Sequence, residues 1–263
     1  MRHLLLCGLL CLGLATSAQA GVVGTEIDYE SEGTTLKGYL AYNNSTKGKR
    51  PGVLVVHEWW GHNDYARERA RMLAKLGYVA LAVDMYGDGK QAAHPDDAQR
   101  FSSAIANNMP LGKARFEAAM AVLKAHKATD TSNIAAIGYC FGGAVVLQMA
   151  REGLDLNAVV SFHGSLGSAK PAQTGAIGTR IMVAHGGADK FSKPEDITGF
   201  IDEMNNANAF YRLTVYSGAE HSFTNPGADK FGEKFNLPLK YNQQADEDSW
   251  RDMQTFLQQA FTD

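Results

Sequence analysis

Residues 133–146 read Asn133-Ile134-Ala135-Ala136-Ile137-Gly138-Tyr139-Cys140-Phe141-Gly142-Gly143-Ala144-Val145-Val146. The run 134–137 is apolar and strand-like, and the stretch from Phe141 to Arg151, stopped by Gly153, has the apolar spacing of a helix. Between them stands Gly-x-Cys-x-Gly-Gly. A strand that passes into a helix over so few residues turns sharply. A Cβ at 138 or 142 would meet the neighbouring strand or helix, which is a reason for glycine at both. A cysteine at the tip of such a turn projects above the sheet. The N–H of Phe141 then points toward a developing oxyanion, and the helix N-terminus behind the sulfur favours thiolate over thiol. The competing reading is a buried structural cysteine with glycines for packing; the position between a buried strand and a helix favours the functional one.

Outward from this turn the chain alternates two periods. The runs 52–57, 78–83, 158–162 and 180–184 are continuous and apolar, as expected of strands covered on both faces, and 213–216 is a last strand. Helical spacing follows Asn63 or Asp64, either of which can cap it, and stops at Gly77; further helices are expected over about 94–126 with a break near Pro110, from Pro194 to about 206, and over roughly 246–261. Repeated strand–helix alternation implies an α/β fold with a mostly parallel sheet and helices on both faces. Residues 25–42, with a turn at Gly33, read instead as an antiparallel edge hairpin. No internal repeat or low-complexity linker divides the chain, so residues 21–263 are expected to form a single domain.

The 263 residues carry 25 basic and 28 acidic side chains, a net charge of −3 that offers no excess of cations for nucleic acid. With 45% hydrophobic and 20% charged residues, the chain is of ordinary globular composition, neither disordered nor coiled-coil. Residues 1–20, MRHLLLCGLLCLGLATSAQA, have a positive start, an apolar run from Leu4 to Leu14 and small residues ending at Ala20. That is the layout of a secretory signal peptide cut after Ala20, and the apolar run is too short for a spanning anchor. The expectation is a secreted or periplasmic protein with no membrane partner after cleavage. Of the three cysteines, at 7, 11 and 140, only Cys140 then remains, a free thiol with no partner inside the chain.

A nucleophile needs a base and an acid that orients it. The strand 180–184 runs into His185-Gly186-Gly187-Ala188-Asp189, and 213–216 runs into Ser217-Gly218-Ala219-Glu220-His221-Ser222-Phe223. Asp189 and His221 therefore follow Cys140 in the order nucleophile, acid, histidine, each at the C-terminal edge of a strand, where ligand sites of parallel sheets lie. These motifs, with His57-Glu58-Trp59-Trp60-Gly61 after the first buried strand, resemble the dienelactone hydrolase family of α/β-hydrolases over nearly the whole mature chain. The resemblance implies the α/β-hydrolase fold, with Cys140 as nucleophile, His221 as base and Asp189 as its orienter. It further implies that Glu58 contacts the thiol and helps generate the thiolate when substrate arrives, and that the amides of Phe141 and Trp59 form the oxyanion hole. The implied reaction is hydrolysis of a small carboxylic ester or lactone through a thioester, with no cofactor.

Two departures bear on the substrate. Members acting on an anionic lactone would be expected to carry arginines after the Asp84-Met85-Tyr86 stretch and after Phe223; here Gly87 and Asp88, then Thr224 and Asn225, stand there. Loss of both guanidiniums removes a carboxylate clamp, and Asp88, if it faces the pocket, repels an anion. Trp60, Tyr86 and Tyr139 are expected in an apolar substrate pocket beside Trp59 and Phe141. The stretch 222–245 is long enough for a lid. Three other readings compete. A zinc site needs histidines four apart on a helix face, whereas His57 and His62 are five apart in a strand-to-loop stretch, so no metal is expected. A glutamine amidotransferase has glutamate two residues after its histidine, where Phe223 stands here. A thiol redox sensor or small-molecule binding protein has no need of Asp189 and His221.

Overall fold

The computed structural model describes residues 21–262; the expected signal peptide, residues 1–20, lies outside them. One eight-stranded sheet runs in the order β1-β2-β4-β3-β5-β6-β7-β8. Its strands are β1 (Val22–Ser31), β2 (Thr34–Asn43), β3 (Arg50–Val56), β4 (Val79–Val83), β5 (Thr129–Tyr139), β6 (Ala158–Phe162), β7 (Arg180–Gly186) and β8 (Tyr211–Tyr216). β1 and β2 form the antiparallel edge hairpin, β2 joins β4 antiparallel, and every pair from β4 to β8 is parallel.

The unbroken apolar runs have a simple cause: successive strand residues face opposite sides, and both sides are covered. Leu54 and Val56 of β3 pack with Leu81, Val83 and Ala136 against α3 (Met109–Ala125) and α4 (Phe141–Arg151). Val53 and Val55 pack with Ala80, Ala82, Ala135 and Ile137 against α1 (Asp64–Lys75) and α7 (Gln243–Ala260). The helices α2 (Pro95–Ala106), α5 (Pro194–Asn206) and α6 (Ala228–Phe235) complete the fold.

Three local expectations change. Asn63 occupies the N-cap position of α1 but makes no side-chain capping bond. β5 begins at Thr129, five residues before its apolar run, because Thr129 and Asp130 pair with Arg50 and Pro51 before the register shifts at Gly52. The 222–245 stretch holds α6, whose Phe231 and Phe235 stack on Trp60 at 4.3 and 6.1 Å between ring centroids.

Candidate active site

Because β3, β5, β6, β7 and β8 run parallel, the segments that leave them emerge at one edge of the sheet. They carry, in that order, Glu58 and Trp59, Cys140, His163, Asp189 and His221. Cys140 sits between the last residue of β5 and the first of α4 with φ +53° and ψ −115°, a conformation that costs a non-glycine residue about 1–3 kcal/mol. Surrounding bonds hold it there. Its N–H is shared between the Phe162 carbonyl at 3.0 Å and His163 Nδ1 at 3.1 Å, and Gly142 N–H donates to the His57 carbonyl at 3.1 Å. The glycines leave no alternative: a Cβ on Gly138 would lie 2.0 Å from the Gly142 carbonyl oxygen, and one on Gly142 2.3 Å from that of Val56.

His221 Nδ1–H donates to Asp189 Oδ2 at 2.8 Å, and both residues line one cavity with Cys140. Burial opposes charge on the imidazole, but attraction to Cys140 and the bond to Asp189 outweigh it and push its pKa up to about 10. Burial likewise opposes charge on Asp189. The bonds from His221 and from the Phe191 amide (2.9 Å) prevail and hold its carboxyl below the ordinary range. The three side chains singled out in the sequence are thus brought to one cavity, with His221 bonded to Asp189.

Glu58 is brought to the same edge but turned differently. Burial raises its pKa against two hydrogen bonds, from Ser222 Oγ to Oε1 at 2.7 Å and from Asn225 Nδ2 to Oε2 at 2.6 Å. Both carboxylate oxygens thus bond the 222–225 segment. Phe141 opens α4, so its N–H lacks an intrahelical acceptor, and both Phe141 and Trp59 line the cavity beside Cys140.

That cavity is about 310 Å³. Trp59, Phe141, Ala144, Phe191 and Leu239 supply apolar wall; Gln99, Ser102 and Ser103 of α2, with Ser165 and Ser192, supply neutral polar groups. Among the described residues no lysine or arginine lines it. Trp60, Tyr86 and Tyr139, expected in the pocket, do not line it. Trp60 is covered by α6; the Tyr86 hydroxyl donates to the Trp59 carbonyl at 3.0 Å; and Tyr139 is fully buried on the α1/α7 side with Ile137, two residues before it on the same face of β5. Asp88 also lies outside the cavity lining and pairs with Lys90 at 3.1 Å.

Further residues complete the surroundings. Phe191, half exposed, sets its ring 4.8 Å from that of His221, and Leu239 reaches the cavity from beyond α6. His163 accepts from the Cys140 amide through Nδ1, so its Nε2–H donates to Thr224 Oγ1, at 2.7 Å. Thr224 also bonds the Tyr65 hydroxyl at 2.6 Å, and its carbonyl accepts from Arg69, which pairs with Asp246 at 2.6 Å. Burial holds His163 well below the ordinary histidine value, in the neutral form this chain of bonds requires. The positions that lack arginine are therefore not idle: Thr224 supports the nucleophile turn and Asn225 holds Glu58.

A mostly parallel sheet flanked by helices, with a sharp strand-to-helix turn at its C-terminal edge, defines an α/β hydrolase. MGS-M1, an α/β hydrolase enzyme from a Medee basin deep-sea metagenome library, shares this fold with a TM-score of 0.60 at 18% identity, over 92% of this chain and 99% of that one. The chain belongs to the dienelactone hydrolase family, whose model matches residues 36–261. A dienelactone hydrolase-like promiscuous phosphotriesterase from metagenomic libraries superposes with a TM-score of 0.86 and 34% identity, over 92% of this chain and 99% of that one. Protein usf of Aquifex pyrophilus is 30% identical over 208 residues, 77% of this chain and 88% of its own length.

Proposed function

We propose that this hydrolase is an exported enzyme that cleaves small, uncharged carboxylic esters or lactones through Cys140. The observation that carries the reading is the cavity shared by Cys140, His221 and Asp189, with His221 bonded to Asp189 and the cysteine on a strained turn. A free thiol has a pKa of about 8.5, so a base beside the sulfur increases the fraction of thiolate at neutral pH. The thiolate attacks the carbonyl carbon, and the amides of Phe141 and Trp59 stabilise the oxyanion. Collapse expels the alcohol, which takes its proton from His221, and leaves a thioester. Water, deprotonated by His221, then releases the carboxylic acid and restores the sulfur. Asp189 keeps the imidazole oriented. Glu58, held by Ser222 and Asn225, helps generate the thiolate when substrate arrives.

The cavity wall supports an uncharged substrate, since among the described residues no lysine or arginine lines it to meet a carboxylate. Uncharged phosphotriesters fit the same wall, and a relative described as a promiscuous phosphotriesterase makes them a second class to assay. A panel of small esters, lactones and phosphotriesters on wild type and Cys140→Ala tests the reading. Activity confined to the wild type is expected; equal turnover by both refutes a cysteine mechanism. Neutral lactones should outperform carboxylated analogues, and a strong preference for the carboxylated form contradicts the substrate class. Oxidation of Cys140 by peroxide with no turnover of any substrate would favour the redox sensor.

A further inference from the structure

On the side of α2 away from the active site lies a second cavity, of about 220 Å³. Gln99, Ser102, Ser103 and Ala106 face the catalytic cavity, while Arg100, Phe101, Ala104 and Ile105 face this one. Its remaining lining comes from Tyr86, Lys90, Leu111 and Arg115. Three cations thus face an apolar and aromatic chamber, and among the described residues no acidic side chain lines it.

Arg115 is the informative member. It is 8% exposed, and its guanidinium donates through one terminal nitrogen to the Met85 carbonyl at 2.8 Å, while Nε is buried without a partner. The buried carboxylate of Asp84 does not complete it. Asp84 Oδ1 accepts from the amides of Tyr86 and Gly87, and Oδ2 from those of Lys37 and Gly89, at 2.8–3.1 Å, which occupies its acceptor sites. Lys90 and Arg100 pair with Asp88 and Asp97, both outside the lining. A buried guanidinium without a carboxylate is unfavourable unless an anion completes it, and its planar donors match a carboxylate. Phe101, Leu111 and Ile105 would cover an apolar body. From the three cations, with Arg115 unpaired by any carboxylate among the described residues, and from this wall we infer that the cavity binds a small organic monocarboxylate with an aromatic or short aliphatic body.

The test titrates 4-fluorobenzoate into the full chain, followed by ¹⁹F NMR, with inorganic phosphate and unlabelled benzoate as competitors. Saturable binding is expected, and it persists when Cys140 is alkylated with iodoacetamide to block the catalytic cavity. Arg115→Met removes the guanidinium, and Ala104→Glu places a negative charge at the exposed mouth without touching the core. Each is expected to weaken binding by about tenfold or more, the scale of a lost charge-assisted hydrogen bond. The inference is overturned by absence of saturable binding, by loss of binding on alkylation, or by equal affinity in wild type and Ala104→Glu. Phosphate competing as well as benzoate would overturn the assignment of an apolar body. None of these outcomes depends on ester turnover, so the site and the proposed reaction fail separately.

Discussion

Replacing Thr224 with valine keeps the shape of the side chain and removes one hydroxyl. That hydroxyl bonds His163 Nε2 at 2.7 Å and the Tyr65 hydroxyl at 2.6 Å, and Thr224 is fully buried. Each buried polar group left without its partner costs about 1–3 kcal/mol. Tyr65 keeps the Arg69 Nε contact at 3.3 Å, so its share falls at the low end, whereas His163 Nε2–H is left facing a methyl group. The sum is about 2–4 kcal/mol, which for a chain of this size lowers Tm by about 4–16 °C. His163 also shares the Cys140 N–H, so its release loosens the nucleophile turn and kcat is expected to fall, although Thr224 itself does not line the catalytic cavity. Differential scanning calorimetry and ester kinetics on wild type, Thr224→Val and Thr224→Ser measure both effects, with serine restoring the hydroxyl and most of the stability. An unchanged Tm in Thr224→Val, or equal losses in the valine and serine variants, would refute the role given to this hydroxyl.

His221, raised to about 10 from 6.5, contributes stability that is fully present below pH 6.5 and is lost as pH rises through 10. Attraction to Cys140 contributes to that rise, so Cys140→Ala is expected to lower the His221 midpoint and flatten the decline in Tm across this window. NMR titration of the imidazole checks it, and an unchanged midpoint contradicts the coupling. Gly142→Ala drives a Cβ to within 2.3 Å of the Val56 carbonyl oxygen and 2.6 Å of that of His57, both backbone atoms that cannot swing away. Its cost is expected at or above about 3 kcal/mol, the upper end for overpacking. Gly199→Ala in α5 meets nothing within 4 Å and is expected to stabilise by about 0.5–1 kcal/mol; chemical denaturation of the two variants separates the cases.

The fold was legible because both faces of β3 to β7 are covered, which turns a parallel sheet into continuous apolar runs. The start of β5 was not, since the polar residues 129–133 read as loop while pairing across the sheet fixes Thr129 and Asp130. Cys140, Asp189 and His221 could be found because each lies just past a strand end, a position that chain order alone supplies. Which way a side chain turns there is decided by neighbours distant in sequence. Trp60 is buried by α6, over 160 residues later, and Glu58 is drawn to Ser222 and Asn225. Tyr139 shares the face of Ile137 on β5, but with both faces of the sheet covered that alternation alone does not say which face meets the site. Phe191 carried no signal beyond lying two residues after Asp189. His163 carried one, a histidine at the end of the buried run 158–162, but its role depends on Thr224 and could not be read without it.

The central claim is that the Cys140 sulfur becomes acylated during turnover. Rapid acid quench of the enzyme with an activated neutral ester, followed by peptide mass spectrometry, tests it directly. The account predicts one acyl group per chain, on the peptide containing Cys140, appearing before steady state and absent from Cys140→Ala. Turnover with no acylated cysteine, or with the acyl group on another residue, would contradict it.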